Sequence, residues 1–343
     1  MDIFALTGLL KLALITATPL ALGAYAGIMC ERSGIVNIAI EGMMLTSAMT
    51  AQLITMYASV PILAAYGGPA IGSPEAEPAK LISLSLGVVG GLLTGAVLGL
   101  LHGVVSIRFK ADQIISGTVI NILAWGLTGW VYQRWMSVTL GAPTSPGTLP
   151  VIPIPLLSRI PILGNLLFNH QPIVYTMLIL TLVIHYVIFY TPWGLRTRAV
   201  GEHPRAADTV GIDVYRVRYI NTILGGMIAG LAGVWLTLEW VGTFNLRMTA
   251  GRGFIALAAM IFGRWTPFGA FGAALLFGVG TALQTYAAGL TSAATSTGTA
   301  SWLTAIPSQA YQAIPYLLTV IALAGFGGRA TPPAADGQPY EKQ

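Results

Sequence analysis

The side chains able to do chemistry in this sequence are few, and they sit in apolar surroundings. Asn37 and Glu41 are four residues apart, which puts them on one face of a helix. Asn121, His102, His185 and Glu239 are the other polar groups inside long apolar runs. An ionisable group at membrane depth is costly and usually faces a cavity or a partner. Asn37, Glu41, Asn121 and Glu239 therefore mark a candidate pathway for a polar solute. Asn37 and Glu41 fit a second role equally, tying a broken helix to its neighbours by satisfying backbone groups. His102 and Glu239 lie near the ends of their runs. No catalytic constellation is present: there is no nucleophile with a base, no paired acids and no His/Asp/Glu set with metal-ligand spacing. Cys30 is the single cysteine, so neither an intramolecular disulfide nor a cysteine metal site can form. Neither a metal nor a cofactor is expected, and the chain does not read as an enzyme. The charges are also too scattered for the ring that a channel filter needs.

Those groups must be positioned by membrane-spanning helices. Of 343 residues, 55% are hydrophobic and 8% charged, where soluble domains carry about a quarter charged residues. A spanning helix needs about 20 apolar residues. Such runs lie near 8–29, 35–60, 81–107, 113–137, 171–190, 219–241, 268–290 and 311–326, with a shorter one at 254–263. The expected fold is an all-α polytopic membrane protein of about 8–10 transmembrane helices with broken or re-entrant segments. Asp2 replaces a basic leader and the first run is long, so that run is expected to remain in the mature protein.

Arginines and lysines accumulate in cytoplasmic loops. Arg196, Arg198, Arg205, Arg216 and Arg218 crowd one loop, and Arg108 with Lys110 marks another two spans away. Both loops, with Arg329 and the tail, are expected inside; the connections at 61–79 and 138–170 are expected outside. The side of the N-terminus depends on whether 35–60 is one span or a broken helix. These loops account for the net charge of +5, so no nucleic-acid partner is required. Residues 38–44 echo 255–261, each preceded by glycine, at Gly34 and at Gly251 and Gly253. Duplicated halves at about 8–190 and 219–326 would place a pathway at their interface. Chance similarity of short apolar strings is the alternative. The expected organisation is one transmembrane domain at 1–326, with the segment 191–218 between the halves, and a polar tail at 327–343.

The basic loop encodes a short helix. Pro204 suits a first helical position and Gly211 a left-handed end. Glu202 near its start favours the helix dipole, and Ala206 and Ala207 leave a small flat face. So short a helix needs something to pack against. It can seat in a groove of another protein or lie on lipid headgroups with its arginines held by anionic lipid.

The string Gly201-Glu202-His203-Pro204-Arg205-Ala206-Ala207-Asp208-Thr209-Val210-Gly211-Ile212 resembles the coupling segment of bacterial ATP-binding-cassette importer permeases. Gly34 to Met44 is similar to the early signature of their nucleoside and simple-sugar branch, and agreement continues through Arg252–Trp265 and Pro267. The resemblance runs from about residue 10 to residue 327, leaving the tail. One departure is Arg205 where the wider superfamily often carries an acidic residue before the two alanines.

The resemblance implies a multi-pass subunit of a bacterial cytoplasmic (inner) membrane, surrounded by lipid. It implies a second permease subunit, a cytoplasmic ATPase docking on Gly201, Glu202, Pro204, Arg205, Ala206, Ala207, Gly211 and Ile212, and an extracytoplasmic substrate-binding protein. The implied solute is a nucleoside, with a simple sugar as runner-up, and the implied direction is import. The chain has no Gly-x-x-x-x-Gly-Lys-Ser/Thr loop, so ATP hydrolysis is expected in a separate subunit. Trp125, Trp130, Trp135, Trp235 and Trp240 lie toward span ends and read mainly as an interfacial belt, with stacking of a base on one of them as the alternative. A proton-coupled secondary transporter using Glu41 and Glu239 is the competing reading, but it has no need of the short basic-loop helix. Glycines in the third and sixth spans read mainly as close static packing.

Overall fold

The computed structural model describes residues 3–137, 141–296, 310, 313, 317 and 330–342. Its helices are α1 (Ile3–Glu31), α2 (Ile40–Ala65), α3 (Glu77–Gly103), α4 (Gln113–Val131), α5 (Leu163–Leu167), α6 (Pro172–Tyr190), α7 (Pro192–Glu202), α8 (Pro204–Thr209), α9 (Val214–Trp235), α10 (Arg252–Phe262) and α11 (Pro267–Ser296). Strands β1 (Ile152–Pro153) and β2 (Asn169–His170) form a small antiparallel pair with Ile152 opposite His170. Among the described residues seven helices are long and apolar enough to cross a membrane, and α10 is a shorter apolar helix. The fold is therefore an all-α polytopic membrane protein. The expected span at 311–326 and Arg329 fall outside the described residues, apart from Ala313 and Leu317.

Two departures from the sequence expectation concern local structure. The second helix begins at Ile40 rather than at 35, because the backbone of 36–38 bonds sideways to other helices. The basic segment at 191–218 is not a loop with one helix. Its first part is α7, opened by Pro192 at a first-turn position and by Thr191, whose hydroxyl accepts from Gly194 N.

The orientation of α1 follows from its two ends. Lys11 donates to Asn165 in the connection that precedes β2 (2.8 Å). Arg32, just past the other end, donates to Trp265 O (3.0 Å) beside the basic segments. The N-terminus thus lies on the face opposite the arginine-rich loop, a point that the sequence left undetermined.

Helices α1 and α9 form the centre, with Tyr25, Arg218 and Trp235 among the largest fully buried side chains. Glycine allows α9 to lie against three neighbours at once. A Cβ on Gly95 would overlap the Gly226 carbonyl, and one on Gly226 would overlap the Gly95 carbonyl. A Cβ on Gly230 would come within 2.7 Å of Gly91 O, and one on Gly225 within 2.8 Å of Ala26 O. Without a hydrophobic drive between helices in lipid, this close approach supplies dispersion contact. The chain ends α3, α4 and α9 with wide turns, at Val104–Arg108, Tyr132–Met136 and Leu236–Val241.

Because backbone cannot yield as a side chain does, Gly95→Leu should cost about 3 kcal/mol or more. We expect a clear drop in thermal midpoint and in monodisperse yield from detergent. Gly126→Leu, where a Cβ meets nothing within 4 Å, should leave both unchanged.

Candidate functional site

The chain between α1 and α2 turns at Gly34, whose φ of +87° is the left-handed region that favours glycine. It then runs without helix among apolar spans. His102 is six residues before Arg108, and Asn121 is eight after Gln113. At about 1.5 Å per residue, this segment lies about 9–12 Å inside the basic ends of α3 and α4. Backbone groups there need partners from the protein, and they have them. Val36 N donates to Gln113 Oε1 (2.6 Å), and His102 Nε2 donates to Val36 O (2.9 Å). That bond assigns the Nε2–H tautomer, leaving Nδ1 to accept from Ser116 Oγ at 3.0 Å. Asn37 Oδ1 accepts from Ala39 N (3.1 Å). Asn121 accepts from Gly42 N (2.7 Å) and donates to Ile38 O (3.0 Å).

Glu41 reaches across to the other echo segment. Its Oε1 accepts from Gly251 N (2.9 Å) and its Oε2 from Gly253 N (2.7 Å). A carboxylate thus caps the start of α10, where two free N–H groups and the helix dipole favour negative charge. Gly251 supplies the left-handed turn into α10 with φ of +81°. Both echo segments rest on α1 at Gly23 and Gly27. A Cβ on Gly23 would stand 2.6 Å from Ala256 Cβ and 3.5 Å from Ile40, and one on Gly27 would stand 2.6 Å from Met260 Sδ. The Gly-x-x-x-Gly spacing at 23–27 was the available sequence signal for this seat. At its far end α10 is held by Trp265, whose indole donates to Glu31 Oε2 (2.6 Å).

Of the four pathway candidates, the structure brings Asn37, Glu41 and Asn121 to one junction. Their oxygens there accept from backbone N–H groups, and Asn37 Nδ2 donates to Cys30 Sγ (3.4 Å) and Met43 Sδ (3.7 Å). Glu239 lies apart, where its Oε1 accepts from Ile173 N (2.5 Å) at the start of α6. Arg252, at the first position of α10, instead faces a cavity of about 440 Å³. Trp235, Trp240, Gln284, Thr285 and Thr16 also line it. The two indoles stack with centroids 5.4 Å apart at 18°.

On the basic face, α8 forms over Pro204–Thr209 with Pro204 in its first turn. Gly211, at φ of +83°, closes it as Ile212 N bonds Ala207 O (3.1 Å). Ala207 is buried with Val200, Val214, Val217 and Tyr340, whereas Arg205, Ala206 and Val210 are exposed. Asn221 ties α7 to α9 by accepting from Trp193 Nε1 (3.3 Å) and donating to Thr197 Oγ1 (3.0 Å). The polar tail folds back on this face. Ala335 N donates to Gly201 O (2.9 Å), Ala334 N to Glu202 Oε2 (3.1 Å), and Arg218 to Gln338 O (3.0 Å). Glu341 pairs with Lys110, which holds its carboxyl below the usual range. Burial pushes the Asp336 carboxyl up. Sequence reasoning did not anticipate this docking, because a short polar segment shows no periodicity.

Residues 9–323 match the family described as branched-chain amino acid transport system / permease component. The chain belongs to that permease family. It is 37% identical to the guanosine ABC transporter permease protein NupQ of Bacillus subtilis, covering 100% of this chain and 99% of the relative. It is 35% identical to the nucleoside ABC transporter permease protein NupC of Lactococcus lactis, covering 96% and 95%. The putative glucose ABC transporter permease protein TsgC13 of Haloferax volcanii is 32% identical over 81% of this chain and 77% of the relative. No solved structure matches. The permease is thus a transport component rather than an enzyme.

In this permease, Glu41→Ala would strip partners from two buried N–H donors at about 1–3 kcal/mol each. We expect a lower thermal midpoint in detergent and faster tryptic cleavage at Arg252, with Glu41→Gln, which keeps one acceptor oxygen, falling between the variant and the parent.

Proposed function

We propose that this permease is one transmembrane subunit of an ATP-binding-cassette importer for nucleosides, seated in a bacterial inner membrane. The observation that carries the reading is full-length similarity to a permease named for guanosine, 37% identical, in a chain that also presents the short helix α8 on its basic face. A second permease subunit would complete the pathway, an external binding protein would deliver solute, and the halves at about 8–190 and 219–326 would be duplicates. Nucleotide-driven closure of the ATPase pair would move α8. Its exposed Arg205, Ala206 and Val210, together with Gly201, Glu202, Pro204, Ala207, Gly211 and Ile212 behind and beside them, would form the docking region. Val210 is 75% exposed, an apolar side chain of the kind a protein groove covers.

Asn37, Glu41 and Asn121 would act on the pathway by fixing the junction that borders it, and Glu239 by fixing the start of α6. The glucose permease relative favours a sugar as the second reading.

Uptake of radiolabelled guanosine, uridine, ribose and glucose, in cells with and without this chain and with its partners expressed, tests the substrate. Loss of nucleoside uptake is expected; loss of sugar uptake alone would overturn the nucleoside assignment. Ala206→Glu should reduce transport by ten-fold or more, about 1.4 kcal/mol per decade, with membrane insertion intact and ATP hydrolysis no longer tied to solute. Normal coupling in that variant would remove α8 from the docking role.

A further inference from the structure

The cavity at the start of α10 has features that its position alone does not require. Its volume of about 440 Å³ falls in the range of small-molecule sites. It is walled on one side by two indoles lying flat on each other, 5.4 Å apart at 18°. Trp235 is 2% exposed and forms the support, while Trp240 is 40% exposed and can present its other face. A belt tryptophan at a membrane interface keeps its polar N–H toward water. Here the Trp235 Nε1 is buried without a hydrogen-bond partner among the described residues, so Trp235 does not serve as a belt residue.

The polar wall is equally restricted. Arg252 stands at the cavity with Nη1 fixed by the carbonyls of Met248 (3.0 Å) and Thr249 (3.2 Å), so its planar fork is held rather than free. Gln284, Thr281 and Thr285 supply neutral groups. Among the described residues that line the cavity, no carboxylate is present. One fixed cation, neutral donors and a flat aromatic face suit an uncharged planar ring with acceptors on its edge. Arginine pairs with the O6 and N7 acceptors of guanine in this way.

We propose that this cavity is the nucleobase subsite of the pathway, in which a purine ring stacks on Trp240 while Arg252 donates to acceptors on its edge. The assignment rests on the nucleoside reading above and adds where the base is held and by which groups. It also explains why Arg252 sits at the first position of a helix that Glu41 caps. The clamp that satisfies the broken backbone sets the position of the guanidinium.

The test is concentration-dependent uptake of guanosine and of ribose by vesicles carrying the complete transporter, with this chain as parent, Trp240→Phe or Trp240→Leu. Base stacking on an aromatic side chain is worth about 1–3 kcal/mol. The KM for guanosine should therefore rise about ten-fold in Trp240→Leu and two- to three-fold in Trp240→Phe, with maximal rate moving far less. Guanosine should also quench the tryptophan emission of the purified parent complex, and this quenching should shrink in Trp240→Phe, which preserves the ring packing. An unchanged guanosine KM in Trp240→Leu overturns the subsite while leaving the nucleoside reading in place. A fall in maximal rate at constant KM does the same, since it marks a structural role. A parent complex that carries ribose and no nucleoside overturns both.

Discussion

Irregular backbone among lipid-embedded helices must find its hydrogen bonds inside the protein, and the rest of this structure is arranged around that requirement. Residues 36–42 and 251–253 carry amides and carbonyls at depths where water is scarce. Gln113, His102, Asn121, Asn37 and Glu41 each satisfy one or two of those groups. An unsatisfied group there would cost about as much as a large fraction of a membrane protein's net stability. The broken elements are thus held rigidly despite lacking helix on one side.

The same junction depends on α1. Gly23 and Gly27 let α10 and the start of α2 lie against one helix, and Gly225 and Gly233 let α9 close from behind. Larger residues at these positions would push the echo segments apart and stretch the Glu41 bonds. Carboxylate capping therefore depends on glycine packing, most directly at Gly253, where a Cβ would stand 2.8 Å from Glu41 Oε2. The π-type turns at the ends of α3, α4 and α9 widen the helices just beyond the tightly packed glycine stretch.

Apolar runs and basic loops were sufficient to read the spans, because length, hydropathy and charge are local properties. The start of α8 at Pro204 and its end near Gly211 were also legible, since cap chemistry is local. What could not be read was pairing. Nothing in the sequence states that Glu41 faces Gly251 and Gly253, 210 and 212 residues away, or that Glu239 faces the start of α6. A polar residue in an apolar run carries the same signal whether it meets a solute or a backbone amide. Arg252 was read only as part of the family string and Trp240 mainly as a belt residue, because each sits next to a span boundary, where arginine and tryptophan are ordinary. The tail was read only as polar and on the inner side; its docking, with Tyr340 packed into the cluster under α8 and Arg218 holding Gln338, was not legible.

The bonding also limits how α10 can move. Arg32 donates to Trp265 O at 3.0 Å, and Glu31 accepts from the Trp265 indole at 2.6 Å. Arg264 and Trp265 turn from α10 into α11 with φ of +52° and +53°, values that non-glycine residues adopt only when their surroundings impose them. Separating α10 from α1 would break these bonds and release that turn at one end, while at the other end the Gly251 and Gly253 amides tie α10 to Glu41 at the start of α2. Moving α1, α10 and the start of α2 together breaks none of them. Because Gly201 of α7 lies directly against Arg32 O, the basic-face helices touch this unit at its end. A displacement of Arg252 relative to the Trp235–Trp240 pair on α9 and the turn beyond it that spares these bonds must therefore carry α1, α10 and the start of α2 as one body. A cavity built across two such bodies changes shape when they shift, without loss of the hydrogen bonds that hold either body together.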